Sequence, residues 1–125
     1  MSSLAALQTQ LAAFAAARDW DQFHTPKNLA MALSGEAGEL LEHFQWLTPE
    51  QSERDALPAT TLQAIEEEMA DVFLYLLQLS NRLGVDLEAV AAHKLQRNAE
   101  KYPVEQSKGN AVKYSRRAPS DTRAP

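Results

Sequence analysis

Two stretches of this chain, Ala32 to Trp46 and Ala64 to Gln78, each place a pair of carboxylates three residues apart at the edge of an apolar helical stripe. The pairs are Glu36 with Glu39 and Glu68 with Asp71. At about 100° per residue, Asn28, Ala32, Glu36, Glu39, His43 and Trp46 share one strip of the first stretch, flanked by Leu29, Leu33, Leu40 and Phe44. On the second, Ala64, Glu68, Asp71, Tyr75 and Gln78 lie beside Ile65, Met69, Val72 and Leu76. This weak internal repeat of one helix constrains the fold. If the apolar flanks are buried against each other, two helices pack side by side and four acids are drawn together, where they repel and some must take up protons. A hard divalent cation removes that conflict, and magnesium prefers carboxylate and water oxygens while keeping positions for phosphate oxygens. The plainer alternative is that acids at this spacing are common on solvated helix faces.

The rest of the chain is written in helix starts and stops. Ser3 caps a first helix to about Arg18, with Leu4, Leu7, Leu11 and Phe14 at three- and four-residue spacing. Arg18 to His24 reads as a loop carrying Asp19, Trp20, Asp21, Gln22, Phe23 and His24; its aromatics either plug the end of a bundle or stack on a base. Thr25 and Pro26 start a second helix to about Leu47. Gly35 and Gly38, each costing about 1 kcal/mol relative to alanine in a helix interior, flank Glu36 and suggest close approach by another backbone or a ligand. Thr48, Pro49 and Glu50 open a short third helix to Ala56, ended by Pro58. Thr60 or Thr61 caps a long fourth helix to Leu83, with Gly84 as its natural stop. Asp86 caps a fifth, from Leu87 to about Tyr102, which Pro103 prevents from continuing. No stretch alternates with period two. The expected fold is all-α, four principal helices and one short one, in a bundle completed by oligomerisation. Residues 1–103 form the domain and 104–125 a basic tail, partly or wholly disordered, with the last ten residues offering almost nothing to bury.

Composition excludes several classes. There is no cysteine, which removes disulfides, thiolate zinc sites and thiol nucleophiles. His24, His43 and His93 share no ligand spacing, so zinc is a poor fit. A di-iron carboxylate bundle needs Glu-x-x-His pairs, and His43 follows Glu39 by four residues instead. The net charge of −5 divides into −8 over residues 1–103 and +3 over 104–125. An acidic body argues against a nucleic-acid polymer as partner, because such binding rests on cationic neutralisation of phosphates. No apolar run approaches the roughly 20 residues needed to span a bilayer, and the alanine-rich N-terminus lacks a basic leader region; a cytoplasmic protein with no membrane partner is expected. Lys94, Asn98, Lys101 and Tyr102 fall on one polar strip of the fifth helix, suited either to phosphate and base edges or to a solvated helix C-terminus.

The spacing of Glu36-x-x-Glu39 and Glu68-x-x-Asp71 resembles the metal signature of the MazG-like, all-α nucleoside triphosphate pyrophosphatases. The run from Arg18 through His24 to Pro26, Asn28 and Leu29, then Gly35-Glu36-x-Gly38-Glu39-Leu40 and Phe44-Gln45-Trp46, is more closely similar to the dCTP pyrophosphatase branch. Lys101-Tyr102-Pro103-Val104 and Ser107-Lys108-Gly109 extend the likeness to about Tyr114. The resemblance implies magnesium-dependent hydrolysis of a deoxynucleoside triphosphate to the monophosphate and pyrophosphate. It implies Glu36, Glu39, Glu68 and Asp71 as metal ligands, and homodimers or homotetramers with sites built between subunits; on mechanistic grounds one of the acids, Glu39, is expected to take the proton of a metal-bound water. It carries Trp20, Asp21, Gln22, Phe23, His24, Trp46 and Tyr75 over as the nucleotide pocket, joined by Lys94 and Asn98. One position departs: where members of the branch have a histidine touching substrate, one turn before Phe14, this chain has Leu11, so base preference does not transfer. The alternative to an enzyme is a bundle that keeps this site but only binds a nucleotide or a protein.

Overall fold

A computed structural model describes residues 3–117, and its regular structure is entirely helical. The helices are α1 (Ser3–Ala17), α2 (Pro26–Glu42), α3 (Ala59–Leu83), α4 (Leu87–Lys101) and the short α5 (Val104–Ser107), with single 3-10 turns at Arg54–Ala56 and Tyr114–Arg116. The all-α expectation is met, and no strand occurs among the described residues. The chain divides into two compact units, one ending at Val85 and one beginning at Asp86.

In the first unit α3 is the axis: α2 packs along it and α1 packs against it. Ala15 of α1, Leu29 of α2, and Ile65 and Leu77 of α3 are the buried apolar side chains, with Leu29 and Leu77 the large ones wholly enclosed. Polar groups fasten α1 to α3. Gln8 Nε2 donates to Ser80 Oγ at 3.1 Å and to Asn81 Oδ1 at 3.4 Å, and Asn81 Nδ2 returns a bond to the Gln8 carbonyl at 3.2 Å.

The turn after α1 has a specific cause. Trp20 N–H reaches back to the Ala15 carbonyl at 3.0 Å and Asp19 N–H to the Ala16 carbonyl at 3.1 Å, the paired bonds of a Schellman stop. That stop needs a left-handed residue, and Asp19 takes it at φ 57°, a conformation that aspartate tolerates better than most side chains. The usual apolar contact across such a stop is the edge-on packing of Trp20 on Phe14, with centroids 5.7 Å apart. The loop therefore enters α2 in a fixed direction. Asn28 Nδ2 holds the Phe23 carbonyl at 2.9 Å, and Thr25 Oγ1 caps α2 by accepting from Asn28 N–H at 3.2 Å.

Three boundaries differ from those expected. First, α2 stops at Glu42 and not near Leu47: His43 N–H bonds the Leu40 carbonyl three residues back, and the chain continues in turns to Thr48. Phe44 and Leu47 N–H likewise bond carbonyls three residues back, at 2.9 Å each, so the backbone tightens out of the α-helical pattern from His43 onward. Second, the short helix expected at 50–56 is only a turn and a 3-10 piece. Thr48 and Gln51 exchange the reciprocal bonds of a capping box at 2.9 and 3.2 Å, yet too few residues follow to repay helix nucleation. Third, α3 begins at Ala59, ahead of Thr60, because Pro58 presents the first carbonyl, which accepts from Leu62 N–H at 2.9 Å. The α3 stop falls where expected, at Gly84 with φ 65°.

In the second unit Asp86 Oδ1 caps α4 by accepting from Ala89 N–H at 3.1 Å, and Pro103 ends it. After α5 the chain closes on the end of α4 through stacked cations and rings. Tyr102 and Tyr114 meet edge to face at 6.1 Å, Lys101 Nζ lies 5.0 Å from the Tyr114 centroid, and the Arg117 guanidinium lies over Tyr102 at 5.6 Å while donating to the Lys101 carbonyl. Of the ten C-terminal residues expected to be disordered, 118–125 lie outside the described residues.

Candidate metal centre and adjoining cavity

The register of α2 against α3 brings Glu36, Glu39 and Glu68 together, each with a carboxylate oxygen within 4.8 Å of the other two. Glu36 and Glu68 are half-buried and Glu39 is exposed. Oε2 of Glu36 and Oε2 of Glu68 are both buried and accept no hydrogen bond. This crowding leaves a mark on Glu36, whose pKa is raised from 4.5 to about 7. The largest cause is the hydrogen bond with the Glu39 carboxyl; burial, the Glu68 carboxyl and the charges of Glu39 and Asp71 add to it. Buried acceptor atoms without donors are costly, by about 1–3 kcal/mol each. An all-oxygen, anionic donor set with two such atoms fits a hard divalent cation.

Asp71 is separate from the three converging acids. Its charge bears on Glu36, but its side chain lines a cavity of about 240 Å³ between α1, the following loop and α3. Leu11, Phe14, Trp20 and Leu74 supply the apolar walls; His24, Asp71, Tyr75 and Gln78 supply the polar ones. Trp20 meets His24 edge to face at 6.1 Å, and His24 Nδ1 is buried without a partner. Asp71, Leu74, Tyr75 and Gln78 line it together because offsets of three, four and seven return to one helix face.

Of the nucleotide-pocket candidates, the structure thus gathers Trp20, His24 and Tyr75 around one cavity beside the acids. It leaves others outside. Asp21, Gln22 and Phe23 are exposed, Phe23 at 60%; Gln22 Nε2 is spent on Asp19, at 3.0 Å to its carbonyl and 3.1 Å to its carboxylate, and the Asp21 carbonyl accepts from Arg82 at 3.4 Å. Trp46, beyond the end of α2, no longer follows the helical strip and is 86% exposed. Lys94 and Asn98 stand on α4 in the second unit, Asn98 half-buried and Lys94 exposed. A Cβ at Gly35 or Gly38 would meet nothing within 4 Å, so packing of this chain's own helices does not explain either glycine.

The sequence places Gln78 on the acidic strip without giving it a role, puts Leu11 and Phe14 on the apolar stripe of the first helix, and marks Leu11 as the position of the branch's substrate-touching histidine. Gln78 is only 7% exposed, and among the described residues its carboxamide has no hydrogen bond. The available signal was a carboxamide inside the apolar run Tyr75 to Leu79, two turns from Asp71.

Fold and site define a class: an all-α protein with a carboxylate cluster suited to a cation, set beside an aromatic-walled cavity. Residues 31–116 match the MazG-like family, and the chain belongs to it. It is 46% identical over 104 residues to mouse dCTP pyrophosphatase 1 and 41% identical to its human counterpart, in each case across 83% of this chain and 61% of the relative. The chain therefore spans about three fifths of the length of these mammalian relatives. A pyrophosphatase from Archaeoglobus fulgidus superposes with a TM-score of 0.75 at 37% identity, covering 82% of this chain and 94% of that one.

Proposed function

We propose that this protein hydrolyses a deoxynucleoside triphosphate, dCTP or a modified dCTP, to the monophosphate and pyrophosphate with magnesium, and so clears the cytoplasmic nucleotide pool. The observation that carries the reading is the meeting of Glu36, Glu39 and Glu68 beside the Trp20 cavity, with two buried oxygens left for a cation. The name dCTP pyrophosphatase 1 borne by the mammalian relatives supports this substrate, and the archaeal neighbour is named a pyrophosphatase without a stated nucleotide.

Glu36, Glu39 and Glu68 would hold the magnesium, joined by Asp71 from the cavity side. Bound there, magnesium supplies positive charge against the triphosphate and acidifies water. Glu39, the exposed member, is placed to accept the proton of the attacking water. The water oxygen forms the new bond to phosphorus, the bond to the pyrophosphate oxygen breaks, and the proton leaves through Glu39. Trp20 and Phe14 give the base an apolar, stacking wall, with Tyr75 and His24 at its polar side. A close-fitting cavity discriminates against a ribose 2′-hydroxyl by leaving it no room or partner.

Self-association belongs to the same proposal. Met31, Leu41, Met69 and Phe73 are exposed, Met69 at 56%, and the bare face of α2 at Gly35 and Gly38 admits close approach. In a homodimer or homotetramer, Trp46, Phe23, Lys94 and Asn98 become available to complete a site on another copy. The test is a panel of nucleoside triphosphates with magnesium and product identification. Pyrophosphate and dCMP are expected; release of orthophosphate, or tight dCTP binding without any product, refutes the enzyme and in the latter case leaves a nucleotide-binding bundle.

A further inference from the structure

Gln78, 7% exposed, is the most deeply enclosed of the polar side chains lining the cavity, and among the described residues its carboxamide makes no hydrogen bond. It lies two turns beyond Asp71 on the same face of α3, opposite the apolar walls of Leu11, Phe14 and Trp20. A side chain enclosed to this degree is ordinarily hydrogen-bonded, and this one instead keeps its carboxamide accessible on the lining of the cavity. His24 Nδ1 repeats the anomaly on the same cavity, buried and without a partner. Two unsatisfied polar groups facing one space between aromatic walls call for a ligand that is flat and carries hydrogen-bonding atoms on its edge. A nucleobase has that form.

We propose that Gln78 reads the base of the nucleotide, taking the amino-pyrimidine edge of cytosine in two parallel hydrogen bonds. The carboxamide oxygen accepts from the exocyclic amine and the carboxamide N–H donates to ring N3. The side-by-side acceptor and donor of an amide are complementary to the adjacent donor and acceptor on that edge, the pairing logic by which amide side chains read bases elsewhere. Leu11, Phe14 and Leu74 offer no hydrogen bond, so the amide is the group on this face able to make both. The inference rests on the proposed nucleotide reading and names the residue that holds the hydrogen-bonding edge of the base.

The test is calorimetric and independent of turnover. The full chain with magnesium is titrated with the α,β-imido analogue of dCTP and with the matching analogue whose base lacks the exocyclic amine. The wild-type protein is expected to bind the second about 10- to 100-fold more weakly, since removing one partner strands the other in a buried place. In Gln78→Met, which keeps the length of the side chain, the two analogues are expected to bind within about threefold of each other. Gln78→Glu keeps an acceptor but loses the N–H donor. The wild-type protein is expected to bind the 3-deazacytosine analogue, which has C–H in place of ring N3, about tenfold more weakly than the cytosine analogue, and Gln78→Glu is expected to lose that preference, because it has no N–H to give to N3. Equal affinity of the wild-type protein for both cytosine analogues overturns the proposal. So does a wild-type ratio retained in folded Gln78→Met, or, where that variant does not fold, a wild-type preference for cytosine over 3-deazacytosine retained in Gln78→Glu. Failure to hydrolyse any triphosphate overturns the enzyme reading alone and leaves this binding comparison to be decided separately.

Discussion

Replacing Glu36 by glutamine separates the cost of the acid cluster from its use. In the metal-free protein Glu36 titrates near pH 7 against an ordinary 4.5, so between those values the folded state holds a proton that the unfolded state has released. Stability contributed by that proton is fully present below pH 4.5 and is lost as pH rises through 7. Glutamine imitates the protonated form at every pH. At about 1.4 kcal/mol per pKa unit the shift has an upper limit of about 3 kcal/mol, and solvent screening of a half-exposed site reduces it to about 1–2 kcal/mol. For a chain of this length that amounts to roughly 4–8 °C in Tm. In EDTA, Glu36→Gln is therefore expected to melt above the wild-type protein at pH 8, with the difference closing by pH 5. With saturating magnesium the order reverses, because the cation stabilises the wild-type site by mass action and the variant has lost a ligand. The assay is a set of circular dichroism melts at four pH values, with and without magnesium. A variant no more stable than wild type at pH 8 in EDTA, or a gap that persists unchanged to pH 5, refutes the account of the cluster.

Glu68→Gln is expected to lower dCTP turnover by about 10³-fold while leaving helical content and assembly unchanged, as seen by product chromatography beside light scattering; retained turnover removes Glu68 from the site. Leu77→Ala empties the centre of the first unit, where Leu77 is fully enclosed, and is expected to cost about 2–5 kcal/mol in denaturant unfolding. Gly84→Ala forces a Cβ into a left-handed backbone and is expected to cost about 1–2 kcal/mol, although its Cβ meets no atom within 4 Å. An undiminished midpoint would show that the α3 stop relaxes.

What the sequence determined by itself was local and periodic. The Thr25–Pro26 start, the Asp86 cap and the Gly84 stop are each decided by a few neighbouring residues, and the structure keeps them. The pairing of Glu36 with Glu39 on α2 and of Glu68 with Asp71 on α3 followed from spacing alone, because residues three and four apart share a helix face. The tertiary structure decided what depends on distant segments meeting. The apolar periodicity of α2 continues to Leu47, yet the helix ends at Glu42 in three-residue turns, and Trp46 beyond it is exposed. The docking of α1 on α3, sixty and more residues apart, made a cavity from Leu11, Phe14 and Gln78, which no local pattern of the sequence brings together. The same packing, and not the spacing, divided the four acids. Three converge closely enough to raise the Glu36 pKa, while Asp71 turns to the cavity, because charge interaction and desolvation depend on distances through space that a single helix does not fix.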